Sequence, residues 1–152
     1  MNNPKTATFV SALCFLLLLA CGGDPDRELI RSVEAGDASM VHELLSAGAD
    51  PGLVISGGKT LVMPAAEQGN LEIVVALLDS GTDLSAGDKG GKTALMWASE
   101  AGRTEVAKEL INRGAEVSVQ DNNGLSAIGY AAQNGQAETV ELLLSNGADV
   151  ND

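Results

Sequence analysis

The chain has 152 residues, 45% of them hydrophobic, and a formal net charge of -12 from 9 Lys and Arg against 21 Asp and Glu. That length suits one modest domain, and the excess of carboxylates argues against binding to nucleic acid or to anionic membrane surfaces, since both depend on clustered Lys and Arg. With 18 Gly, one His and only four aromatic residues (Phe9, Phe15, Trp97 and Tyr130), a large aromatic core is excluded and many short elements joined by turns are expected.

Asn2 to Thr6 is polar with a single Lys5, and the run from Ala7 to Ala20 is apolar apart from Thr8, Ser11 and Cys14. A spanning helix needs roughly 18 to 20 apolar residues, so this run is too short and reads as the core of a secretory signal over residues 1–20. It ends in Leu18-Leu19-Ala20-Cys21, which resembles the lipobox of bacterial lipoproteins. The resemblance implies cleavage before Cys21, acylation of its thiol and a place in the bacterial cell envelope, facing the periplasm. An ordinary cleaved signal or an uncleaved anchor is the alternative. Residues 21–25 then form a tether, and each buried acyl methylene contributes about 0.8 kcal/mol of anchoring. Loss of the leader leaves a mature chain from Cys21 with a net charge of -13, whose domain over 26–152 has no free thiol and no disulfide.

An internal period decides the architecture. Gly36, Gly69, Gly102 and Gly135 recur at a fixed 33-residue interval, as do Gly48, Gly81, Gly114 and Gly147. Thr60, Thr93 and Ser126 form a third ladder, and Ala65, Ala98 and Ala131 a fourth. In each unit a Gly-rich turn such as Asp88-Lys89-Gly90-Gly91 or Asp121-Asn122-Asn123-Gly124 precedes a Thr or Ser placed to cap a short helix. A second helix follows the first Gly ladder, with apolar pairs at helical spacing such as Ile73, Val74, Leu77 and Leu78. The second Gly ladder marks its end. One unit cannot bury its apolar face alone, so the units are expected to stack.

Lys92-Thr93-Ala94-Leu95-Met96-Trp97-Ala98-Ser99-Glu100-Ala101-Gly102 and Gly147-Ala148-Asp149-Val150-Asn151 resemble the opening and closing signatures of the ankyrin repeat. The resemblance implies an all-α solenoid of about 3.5 to 4 repeats, with helix-turn-helix pairs joined by hairpin-like loops, in units of about 26–54, 55–87, 88–120 and 121–152. The signature His is replaced by Met63, Met96 and Gly129 and the signature Pro by Leu61, Ala94 and Ala127, which implies a missing brace between repeats. The link from Leu53 to Gly57 lacks the turn Asp, and the outer helix of the last unit carries Leu142 where Ala76 and Glu109 stand earlier. That implies either fraying or a cover over the last repeat.

Catalytic readings find no support. His42 has neither a thiol nor a second imidazole to partner it, and its repeat position holds Val75, Lys108 and Glu141. Gly58-Lys59-Thr60 and Gly91-Lys92-Thr93 imitate the end of a phosphate-binding loop, but the additional Gly such a loop needs is Leu53 or Ala86. Asp121-Asn122-Asn123-Gly124 lacks the alternating acids and closing Glu of a calcium loop. No enzyme, cofactor, metal or small-molecule substrate is expected. A small carboxylate-dependent enzyme is the remote alternative.

Ankyrin stacks bind other proteins through hairpin tips and the inner-helix face. Carried onto this sequence, the resemblance makes Lys59, Lys89, Lys92, Asn122, Asn123 and Leu125 tip positions, and Glu34, Glu67 and Glu100 an inner-face column that keeps the repeat period. Repeat stacking at about 8 to 10 Å would give that column a coherent negative field toward a basic partner. A purely solubilising role is the plainer reading of the same acids. Beside it lie Arg31, Pro64, Trp97 and Tyr130, and the two aromatics are candidate anchors. The expectation is a non-catalytic protein-interaction scaffold at an envelope membrane, with an immunity or inhibitor protein against a basic envelope toxin or enzyme as the alternative. A monomer, or a weak oligomer through the C-terminal repeat, is expected.

Overall fold

The computed structural model describes residues 24–149; the signal, the lipobox and Cys21 lie outside the described residues. Eight helices occur among them: α1 (Pro25–Ala35), α2 (Ala38–Ser46), α3 (Val62–Gln68), α4 (Leu71–Asp79), α5 (Ala94–Glu100), α6 (Thr104–Asn112), α7 (Ala127–Gln133) and α8 (Ala137–Ser145). They pair antiparallel and stack in two rows, α1, α3, α5 and α7 inside and α2, α4, α6 and α8 outside. This is the all-helical solenoid that the 33-residue period predicts.

Each helix starts and stops for a local reason. Thr93 and Ser126 cap α5 and α7, their hydroxyls accepting from the backbone N–H groups of Met96 and Gly129 at 3.5 Å. Met96 answers through its sulfur, which accepts from the Thr93 N–H at 3.4 Å. The third member of that ladder behaves differently. Leu61 occupies the cap position of α3 without a side-chain bond, and the buried Thr60 hydroxyl has no partner among the described residues. Pro64 falls in the first turn of α3, where its missing N–H removes no intrahelical bond.

The inner-helix glycines take the left-handed conformation, with φ of 73° at Gly36 and 81° at Gly69, which only glycine adopts cheaply. Small residues then let the rows approach: Ala65, Ala66, Ala98 and Ala131 are fully buried between neighbouring units. Leu29, Leu44, Ile73, Leu77, Leu110 and Leu143 fill the space between the two rows, so the apolar residues form one continuous strip along the stack.

The turn carboxylates shape the hairpins. Asp88 accepts from the N–H groups of Gly90 and Lys92 at 2.8 and 3.0 Å, and Asp121 from those of Asn123 and Leu125 at 2.8 and 2.9 Å. Ile55 has no carboxylate, yet the first hairpin closes through its backbone alone, by the Ile55 N–H to the Lys59 carbonyl at 2.8 Å. Isolated bridges join Val54 to Thr60 and Gln120 to Ser126.

The missing His-and-Pro brace has a replacement. The hairpin tips bond edge to edge, with the Lys89 N–H donating to the Gly57 carbonyl at 2.9 Å and the Asn122 N–H to the Gly90 carbonyl at 2.8 Å. Farther in, the residue after each inner-helix Gly reaches back one repeat. Asn70 Nδ2 donates to the Gly36 carbonyl at 3.3 Å, Arg103 Nε to the Glu67 carbonyl at 3.1 Å and Gln136 Nε2 to the Glu100 carbonyl at 3.4 Å. These carbonyls sit at or just past helix C-termini, where no intrahelical donor remains. The donors also lie against the glycines: a Cβ at Gly69 would stand 2.7 Å from Arg103 Cδ, and one at Gly102 would overlap the Gln136 amide.

At the far end of the stack Leu142 is half-buried against the core, beside the groove between α6 and α8. The exposed leucine there is Leu144, at 40%.

Candidate functional site

The inner face is built from two sets of residues that the helix register brings together. Lys59 and Lys92 end the hairpins just before Thr60 and Thr93. Trp97 and Tyr130 lie on α5 and α7, and Glu67 and Glu100 near the ends of α3 and α5. A residue at the end of one hairpin therefore meets the aromatic ring of the next repeat.

The result is a ladder of ammonium groups and rings. Lys59 Nζ lies 3.4 Å from the centroid of the Trp97 ring, Lys92 Nζ lies 3.8 Å from the same ring, and Lys92 Nζ lies 4.1 Å from the Tyr130 ring. Lys92 thus bridges two aromatics on consecutive repeats, and Trp97 holds ammoniums from two. An ammonium near a ring centroid gains about 0.5 to 2 kcal/mol, the larger value where water is excluded. Lys92 is only 7% exposed, so its contacts belong toward that upper end.

Each lysine is also paired with the glutamate of its own repeat. Lys59 Nζ stands 3.6 Å from Glu67 Oε2, and Lys92 forms an ion pair with Glu100. The acidic column therefore presents a different face from the one its spacing predicts. Glu34, Glu67 and Glu100 do follow one another along the inner row, but Glu67 and Glu100 are charge-balanced locally. Glu34, exposed at the end of α1, forms no ion pair among the described residues.

Tyr130 ends the ladder on an acid. Its hydroxyl donates to Asp121 Oδ2 at 2.7 Å. Burial, then the Asp121 bond and charge, push the phenol up to about 12 from 10.0. The Leu125 N–H, followed by the Tyr130 hydroxyl, holds the Asp121 carboxyl down at about 2. Neither group changes charge near neutral pH, so the pair fixes ring position and is not poised for proton transfer. Among the described residues no group of three or more His, Cys, Asp or Glu is placed to hold a metal ion.

The remaining candidates lie at the tips. Lys89 and Asn122 are exposed, and Asn122 Nδ2 donates to the Lys89 carbonyl at 3.1 Å, so both serve the edge-to-edge bonding while presenting side chains outward. Asn123 is exposed and folds back on Asp121, and Leu125 is half-buried. Lys92 is no tip residue: its side chain lies along the inner face against the rings.

A family model for ankyrin repeats, in three copies, matches residues 29–121 and 104–152. The chain belongs to the ankyrin-repeat family. No curated protein matches it. Ankyrin repeats mediate binding to protein partners and are in general non-catalytic interaction modules.

Sequence reasoning missed the roles of five residues of this ankyrin stack. Lys59 reads as a solvent-facing tip residue, and Asp121 as a turn residue only. The back-reaching series Asn70, Arg103 and Gln136 is hidden by its chemical variety, although it keeps the repeat period. For the lysines a signal does exist: Lys59 and Lys92 also keep that period and stand a fixed distance before Trp97 and Tyr130.

Proposed function

We propose that this ankyrin-repeat chain is a non-catalytic protein-binding module held at a bacterial envelope membrane by a lipid on Cys21, with its inner face turned toward a protein partner in the periplasm. The observation that carries the binding part is the charge-paired ladder of Lys59, Trp97, Lys92 and Tyr130. It fixes two aromatic rings, which bury large area at little cost in conformational freedom, on one strip of the surface. The anchoring part rests on the leader and on Leu18-Leu19-Ala20-Cys21. The acidity of the domain fits it: like charge keeps the repeats off anionic headgroups, so the tether leaves the inner face free.

The immunity or inhibitor reading drew on an open acidic strip. Pairing of Glu67 and Glu100 with lysines removes most of that strip, and the broader scaffold reading is preferred.

Two experiments test the proposal. Cys21→Ser should move the protein from the membrane fraction to the soluble fraction, and persistence in detergent-dependent form would refute lipid anchoring. A photo-crosslinking side chain at Asn123, at an exposed hairpin tip, should capture a discrete envelope protein that one at Lys108, on the outer row, does not. Equal capture from both positions would place the binding surface elsewhere.

A further inference from the structure

The ammonium and ring ladder stops one step short. Trp97 has two ammonium contacts, Lys59 from the preceding repeat and Lys92 from its own. Tyr130, its counterpart in the next repeat, has Lys92 from the preceding repeat, but the position in its own repeat is Leu125. The acid that balances the ladder at Glu67 and Glu100 is likewise replaced, by Gln133. Tyr130 is left half-exposed with one cationic contact where the equivalent ring has two.

The charges around it favour a further cation. Asp121, Glu100 and Asp88 all act on the Tyr130 phenol. Glu100 is neutralised by Lys92, whereas Asp121 and Asp88 form no ion pair among the described residues and are satisfied only by uncharged donors. Trp97 shows that the ladder accommodates ammoniums from two repeats on one ring when carboxylates flank it.

We propose that the Tyr130 ring, between Leu125 and Gln133, receives a cationic side chain of the protein partner, an arginine above all, which completes the ladder from outside. A guanidinium suits the place better than an ammonium because it is planar, weakly hydrated and stacks on aromatic faces. This rests on the protein-binding reading above and names the chemistry of one contact within it. The same sequence change that shortens the ladder thus opens a site, and Leu125→Lys should close it.

The test uses the full chain in detergent, titrated with a short arginine-glycine peptide and, as control, its glutamate-glycine counterpart. Tyr130 is the only tyrosine, so its ring resonances report directly. The arginine peptide should shift them saturably. Leu125→Lys should weaken binding about fivefold or more, the effect of filling one cation-ring contact. Ser118→Lys adds the same charge at an exposed position elsewhere and should change the affinity less than about twofold, as expected for a single screened surface charge. Tyr130→Leu keeps apolar bulk without the ring and, with its affinity read by titration calorimetry since the reporting ring is gone, should match Leu125→Lys, which guards against a folding defect in either variant. Equal weakening by Leu125→Lys and Ser118→Lys, or no shift at Tyr130, overturns the inference.

Crosslinking from Asn123 separates the two levels. Capture of the same envelope protein in equal yield by the wild type and by Leu125→Lys sinks the arginine contact and leaves the scaffold reading standing. A yield clearly lower with Leu125→Lys than with the wild type supports both, and capture by neither overturns both.

Discussion

The interface between units 26–54 and 55–87 differs from the two that follow it. At the first, the ring positions hold Arg31 and Pro64, and the repeats meet through Leu29, Val33, Val41 and Leu44 together with amide donors from Gln68 and Asn70. At the later two, the same backbone arrangement is overlaid with Lys59 on Trp97 and Lys92 on Tyr130. Stacking therefore does not require the ladder. Apolar burial and back-reaching donors suffice to hold two units together, and the ladder is an addition confined to the part of the stack where the inner face carries aromatic residues. A feature that the architecture can do without is a better guide to function than one that recurs in every repeat.

The sharpest way to break this comparison is to remove the central ring. Trp97→Ala loses contacts with two ammoniums and a half-buried indole, and should lower stability by about 2 to 3 kcal/mol. Arg31→Ala, at the same repeat position of the first unit, should cost no more than a few tenths, since that side chain is exposed and its ion pair with Glu28 is superficial. Chemical denaturation midpoints of the two variants measure the difference. Equal losses would mean that the ladder contributes nothing beyond what every unit already has.

A second contrast concerns the glycines. Gly102→Ala must hold an alanine at φ of 64° and displace the Gln136 amide, and should cost about 2 kcal/mol. Gly36→Ala has the same backbone strain, with φ of 73°, but its Cβ would meet Asn70 Nδ2 at an ordinary 3.6 Å, so about 1 kcal/mol is expected. The gap between these variants isolates the clamp from the backbone conformation.

Arg103→Asn should go the other way. Asn70 both caps α4, accepting from the Ile73 N–H at 3.2 Å, and reaches back to Gly36, whereas Arg103 reaches back without capping α6. An asparagine at 103 can do both, and a gain of about 0.5 kcal/mol in thermal or chemical unfolding is expected.

The pH effects are confined to the acid and alkaline extremes. Asp121 is depressed from 3.8 to about 2, so its contribution is present above pH 3.8 and fades as pH falls toward 2. Tyr130 is raised from 10.0 to about 12, so its contribution is complete below pH 10 and is lost as pH climbs through 12. Between those limits stability is independent of this pair. Tyr130→Phe should reduce the alkaline loss in a pH series of unfolding midpoints, leaving the part that follows from discharge of lysines, and keep most of the acid loss, because the Leu125 N–H is the larger hold on Asp121.

Much of the architecture was legible in the sequence. Four ladders at one period located every helix pair, because glycine at positive φ and hydroxyls at caps are constraints that a single residue type reveals. What escaped were relations between repeats. Lys92 reads as a surface residue because lysine seldom lies buried, and only the meeting of one repeat's hairpin with the next repeat's helix shows that two rings and Glu100 enclose it. Its position in the linear pattern was visible, but its direction was not. The acidic column failed similarly: spacing placed the three glutamates on one strip, while the lysines that balance two of them came from a different ladder. Thr60 shows the reverse error, a ladder member whose neighbours cap helices while it caps none, because α3 begins one residue later than the period predicts.

The donors at 70, 103 and 136 give the stack a direction. Each closes the end of the helix before it, so the inner helix of one repeat lacks its terminal partner until the next repeat has formed. A chain leaving the ribosome would meet this as a sequence of unfinished ends, every unit stabilised by the one synthesised after it. Unfolding from the C-terminal side then uncaps one helix at a time, while unfolding from the N-terminal side leaves the remaining caps intact. Pulled from its two termini, such a stack should peel from the C-terminal end first.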